Sequence, residues 1–101
     1  MEMDYSKLSD FEINKMISAF LWGSVCAVDG VVLHNEKDGP FDPCNNPEDA
    51  WSIIFSHKIG IAPAKVGDKW LGHYCNWDIA IADTNPLRAA MIVFLMMHDD
   101  I

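Results

Sequence analysis

Asn85-Pro86-Leu87-Arg88-Ala89-Ala90-Met91-Ile92-Val93-Phe94-Leu95-Met96-Met97 can be read in two ways. On propensity alone, the five residues from Met91 to Leu95 make a buried strand, because β-branched and aromatic side chains suit a pleated sheet. The opening of the stretch argues otherwise. Asn85 can cap a helix, and Pro86 then falls at the first helical position, where its missing N–H costs nothing. The paired alanines and the length agree with a helix from 86 to about 97. It is apolar nearly all round, and such helices are buried.

Thirty-nine residues earlier the chain opens a helix in the same way. Asn46-Pro47-x-x-Ala50-x-x-Ile53-x-Phe55 matches Asn85-Pro86-x-x-Ala89-x-x-Ile92-x-Phe94 at five positions. Duplication would explain this, but two helices with the same start converge on Asn-Pro and a nearby alanine more simply. Glu48 and Asp49 in the first turn, and His57 and Lys58 in the last, suit the helix dipole. Ala50, Trp51 and Ile54 form the expected buried stripe, widened by Ile53 or Phe55, and Gly60 is the expected stop. A third helix begins at Ser9-Asp10-Phe11-Glu12, which has the form of a capping box. Ile13, Met16, Ile17, Phe20 and Leu21 follow on an arc of about 140°, with Asn14, Lys15 and Ser18 on the expected wet side and Gly23 as the stop.

Between the helices lie strand signals. Val25–Val28 and Val31–Leu33 flank Asp29-Gly30, a strong hairpin turn. From His34 to Asn46 the chain is polar and rich in Gly, Pro, Asn and Asp, which reads as a loop. Ile59–Ala62, Trp70–Tyr74 and Trp77–Ala82 are expected strands, the last because Trp77, Ile79 and Ile81 alternate with Asp78, Ala80 and Ala82. Together these give an α+β fold: a small, mainly antiparallel sheet packed with about three helices, like an α-β-α sandwich, with similar helices flanking the sheet. The mixed order of elements forbids a purely parallel, doubly wound sheet.

With 101 residues the chain is expected to form one domain, residues 1–101, and to bury about two thirds of its extended surface. Half of the residues are apolar and 22% are charged, which argues against disorder. Fifteen acids against seven bases give a net charge of −8, which excludes a general phosphate-backbone binder. The start, Met1-Glu2-Met3-Asp4, is unlike a secretory signal, and the longest apolar run, Ala89 to Met97, falls well short of a membrane span. Cys26, Cys44 and Cys75 are an odd set without Cys-x-x-Cys spacing, so reduced thiols in a cytoplasm are expected.

Three blocks carry a family resemblance. They are Tyr5-Ser6-Lys7-Leu8-Ser9-Asp10-Phe11-Glu12-Ile13-Asn14, Cys44-Asn45-Asn46-Pro47-x-Asp49-Ala50-Trp51, and the run from Asn85 to Leu95. In this order they resemble the phage NinX family, small proteins of lambdoid phages and prophages, while residues 23–42 and 60–83 match only loosely. A weaker similarity is to phage proteins built as α-β-α sandwiches. The resemblance implies a source and a compartment. It supplies no reaction and no catalytic residues.

Each candidate chemistry has a simpler competitor. His73 and Cys75 would share a face on a strand, and Cys26, Cys44 and His34 could complete a metal site, but the spacings fit no zinc pattern. Cys44 stands two residues before a helix cap, where the dipole favours a thiolate, yet Asp42, Glu48 and Asp49 oppose one. No nucleotide-binding glycine motif occurs. Arg88, the single arginine, sits beside Asn85 in a first turn where an acid is usual; with the 34–46 loop they could serve an enzyme or a binder of an anion or small molecule, but an ion pair with Asp83 or another acid is the simpler reading. Trp70 and Trp77 are either core or an aromatic patch for a partner.

The expectation is a phage accessory protein that binds a host or phage protein, with no catalytic residues, no cofactor, no metal and no direct contact to DNA. A homodimer is a further possibility. The charge also suggests a DNA mimic, which needs its acids gathered on one face. Here they are scattered: Glu2, Asp4, Asp10 and Glu12; Glu36, Asp38, Asp42, Glu48 and Asp49; Asp99 and Asp100.

Overall fold

The structure is a computed structural model that describes residues 4–65 and 67–98. Glu2, Asp99 and Asp100 therefore lie outside the described residues. After a 3-10 turn at Tyr5–Lys7, the elements run α1 (Asp10–Trp22), β1 (Cys26–Val28), β2 (Val31–Leu33), α2 (Pro47–His57), β3 (Gly60–Pro63), β4 (Trp70–Tyr74), β5 (Ile79–Asp83) and α3 (Pro86–Met97). The fold is α+β, with two small antiparallel sheets: the hairpin β1-β2 and the sheet β3-β4-β5.

The 85–97 stretch is a helix, as its cap demands. Asn85 Oδ1 accepts hydrogen bonds from the backbone N–H groups of Leu87 and Arg88 at 2.9 and 3.3 Å. Every residue from Ala89 to Leu95 is buried, so α3 is the centre of the molecule. One side of it lies on the three-stranded sheet, where Gly72 makes close approach possible. A Cβ at this position would stand 2.8 Å from the Ala89 carbonyl oxygen and 3.0 Å from Val93 Cγ2. Alternation along the strands and the pairing register put Ile61, Gly72, Tyr74, Ile79 and Ile81 on this helix-facing side. Helices α1 and α2 pack mainly on α3 itself, α1 also against β2 of the hairpin, contributing Ile13, Ile17, Ala50, Ile53 and Ile54 to the core. The expected pair of helices flanking the sheet is therefore corrected: α3 separates α2 from it.

The caps and turns follow the sequence closely. Ser9 and Glu12 form the capping box, and Gly23 closes α1 in the left-handed region. Asp29 (φ 52°) and Gly30 (φ 77°) both take the left-handed backbone that a two-residue hairpin turn requires. Helix α2 ends earlier than Gly60: Lys58 takes the left-handed cap (φ 56°), leaving Gly60 to start β3.

Face assignments fail where a polar partner or a free side decides them. Asn14 and Ser18, expected wet, are buried because the fold satisfies them: Asn14 donates to Asp42 and accepts from the Cys44 N–H, and Ser18 donates to the Ser24 carbonyl. Phe20 and Leu21, expected in the core, are exposed at the far end of the helix. Trp51 is not core either. It is 61% exposed, because α2 meets the interior through Ala50, Ile53 and Ile54. Trp77 lies before β5, in a turn where Cys75, Asn76 and Trp77 are all left-handed (φ 58°, 54° and 71°).

Candidate functional site

The N-termini of all three helices meet in one polar cluster, and Arg88 is its hub. Its Nε donates to Asp83 at 3.0 Å, its Nη1 to Asp10 at 2.5 Å, and its Nη2 to the carbonyls of Ser6 and Leu8 at 3.1 and 2.6 Å. Burial works against the guanidinium charge, and the hydrogen bonds and charges of Asp10 and Asp83 outweigh it, raising the Arg88 pKa further. Asn85 joins the same cluster. Its Nδ2 donates to the Cys44 carbonyl at 2.7 Å and to Asn45 Oδ1 at 3.1 Å, and Asn45 donates in turn to Asp10 and Asp42. Asp49 accepts from the Asp42 N–H at 2.9 Å, which fastens the 34–46 loop to α2. Arg88 and Asn85 are thus together as the sequence places them, with four guanidinium donors spent on protein acceptors.

A second region is the sheet face turned away from α3. It carries Leu71 and His73, half-buried, and Ala80 and Ala82, exposed. The His73 ring lies over Gly60, where a Cβ would come within 2.0 Å of it, and stacks on Trp77 with centroids 3.7 Å apart. Trp77 itself is 50% exposed. Trp70 is 38% exposed but shares the helix-facing side with Gly72, two residues on, so strand geometry does not join the two tryptophans in one patch.

The sequence pattern of the family described as Bacteriophage P22, NinX matches residues 4–98. The chain belongs to that family. The three blocks that carry the resemblance are the ones that meet at Arg88: Asp10 and Asn14 come from the first, Cys44, Asn45 and Asp49 from the second, Asn85 and Arg88 from the third. Among solved structures, this NinX-family chain is similar to a 2.0 Å crystal structure of a phage protein from Bacillus cereus ATCC 14579. The TM-score is 0.68 at 15% identity, covering 98% of this chain and 94% of that one, a likeness of fold. No curated protein matches the chain.

The thiols of the NinX-family chain are free and dispersed: Cys26 and Cys75 are exposed and Cys44 is buried. Burial, with the Asp10 charge adding to it and Arg88 opposing, pushes the Cys44 thiol up to about 12. That is the reverse of what a nucleophile at a helix start needs. Strand β4 ends at Tyr74 and Cys75 stands in the left-handed turn after it, so His73 and Cys75 do not share a strand. Among the described residues no group of three or more His, Cys, Asp or Glu is placed to hold a metal ion. No helix among them is long and apolar enough to cross a membrane.

Two of the surface grooves lie beside the 34–46 loop and beside α2. One, of about 490 Å³, runs beside the 34–46 loop between Phe11, Phe41 and the hairpin, with Asp10, Asp42 and Asn45 along it. The other, of about 530 Å³, lies between α2 and β3 and is lined by Trp51, Ile54, Phe55, Lys58, Ile59 and Ile61. Sequence periodicity missed the second by placing Trp51 inside. The usable signal was the surplus of apolar residues on α2, more than one face of an 11-residue helix can bury.

Proposed function

We propose that this NinX-family protein is a non-enzymatic interaction module of the phage, acting in the host cytoplasm on a host or phage protein. The observation that carries this reading is the sheet covered by α3 on one side only. Its other side presents Leu71, His73, Ala80, Ala82 and the exposed Trp77, an apolar and aromatic patch suited to a protein surface. Arg88 supports the same reading. Its donors are committed to Asp10, Asp83 and two carbonyls, so it serves architecture before it serves an anion.

The DNA-mimic alternative draws on the net charge of −8, but many of the acids already have local duties. Asp4 and Glu12 cap helical turns, Glu36 accepts from Trp22 Nε1 at 2.6 Å, and Asp10, Asp42, Asp49 and Asp83 belong to the polar cluster. Affinity capture from a phage-infected host, read by mass spectrometry, tests the proposal. A protein retained by the parent and lost from Trp77→Asn, a residue tolerant of the left-handed turn, is the expected result. Retention that ignores this substitution would contradict it. Displacement of DNA from a host enzyme, weakening steeply with salt, would favour mimicry instead.

A further inference from the structure

The outer face of α2 has a symmetry that the core does not require. Glu48, Trp51 and Phe55 all point to solvent within an arc of about 60° at helical spacing, and the exposed Lys58 cap continues that line along the groove beside β3. Trp51 and Phe55 are 61% and 72% exposed, with ring centroids 6.0 Å apart, and they form an aromatic ridge with no covering element among the described residues. The order along the stripe is acid, aromatic, aromatic, base. Both pairs, Glu48 with Lys58 and Trp51 with Phe55, are centred on position 53.

A two-fold axis through that point maps each residue onto its complement. An isologous contact requires this: the same patch on both copies, with residue i meeting j and j meeting i. We propose that a second copy of this chain docks here, α2 against α2 and antiparallel. Glu48 of each copy faces Lys58 of the other, and Trp51 of each packs beside Phe55 of the other over the groove formed by Ile54, Ile59 and Ile61. A foreign partner would have no need of the palindromic order. The charges fix the direction, since a parallel arrangement would set Glu48 against Glu48 and Lys58 against Lys58. Helix α2 is only about 16 Å long, so the seam is small and the dimer weak, with a dissociation constant on the order of 10–100 μM. Repulsion between two copies at −8 is damped at about 0.15 M salt, where the Debye length is about 8 Å. This seam lies on α2 and does not depend on the sheet-face reading.

The experiment is sedimentation equilibrium of the full chain at about 0.15 M salt, from about 5 to 500 μM. The mean mass of the parent is expected to climb from 11.4 kDa toward twice that value. Glu48→Lys and Lys58→Glu, each alone, should stay monomeric, because each sets like charges together. An equimolar mixture of the two should associate, because in the mixed pair both contacts are again opposite in charge. Trp51→Ser, at an exposed position, should raise the dissociation constant at least about tenfold while leaving the far-ultraviolet circular dichroism unchanged. A parent that stays at 11.4 kDa throughout would overturn the proposal. So would charge variants that associate like the parent, a mixture that does not associate, or a Trp51→Ser protein as tightly paired as the parent.

Discussion

His98 shows how one side chain at a helix end couples the fold to pH. It caps α3, packs against Phe20 at 4.1 Å and Phe94 at 4.7 Å between centroids, and buries a ring nitrogen, Nε2, that finds no hydrogen-bond partner among the described residues. Burial first, and then the charge on His57, lower its pKa from the ordinary 6.5. The unfolded chain takes up the proton near 6.5 while the folded one resists it, so stability is full above that value and is lost as pH falls toward the folded pKa. The melting temperature should therefore drop between pH 7.5 and pH 5, and His98→Phe should flatten the drop. Asp4 and Glu12, whose pKa values are lowered mainly by hydrogen bonds from Ser6 and Ser9, lose their contributions only at more acid pH. Equal slopes for parent and variant over this window would remove His98 from the account.

At the scale of elements, Arg88 ties the start of α3 to the start of α1, the end of β5 and the 3-10 turn. Arg88→Ala would leave Asp10 and Asp83 facing each other without a cation and two carbonyls without a donor. With Asp10 partly exposed, a loss of about 2–4 kcal/mol in urea unfolding is expected. Arg88→Lys keeps the charge but not the fork, so it should recover only part of the loss. A variant as stable as the parent would mean that the three helix starts are held by packing alone. How far these elements could be read in advance depended on where the deciding physics lay. Caps and turns are local, so Ser9-x-x-Glu12, Asp29-Gly30, Asn46-Pro47 and Asn85-Pro86 gave the starts of all three helices and the hairpin. Which face of a helix is buried is a tertiary matter. Asn14 goes inside because Asp42 and the Cys44 N–H await it 28 and 30 residues away, and Trp51 stays outside because α3 already fills the interior. The Arg88–Asp83 pair was legible at five residues' separation; the contact to Asp10, 78 residues away, was not.

For the whole molecule, placing α3 at the centre has one large consequence. A single helix between the sheet and the other two helices receives apolar side chains from every direction, so its periodicity is masked and its residues 89–95 are buried throughout. The sheet then needs no second helical layer, and its outer face is left uncovered among the described residues, while α2, touching the interior along one narrow stripe, leaves Trp51 and Phe55 outside. A continuous core around α3 with a free outer sheet face is the central claim, and urea unfolding of two variants tests both halves of it. Phe94 is fully buried beside Phe20 and His57, and Phe94→Ala should cost about 3–5 kcal/mol. Leu71→Lys places a charge on the outer face, where the long side chain reaches water, and should cost less than about 1 kcal/mol. If Leu71→Lys instead destabilised the protein as much as Phe94→Ala, the outer face would be core, and no surface would remain there for a partner to bind.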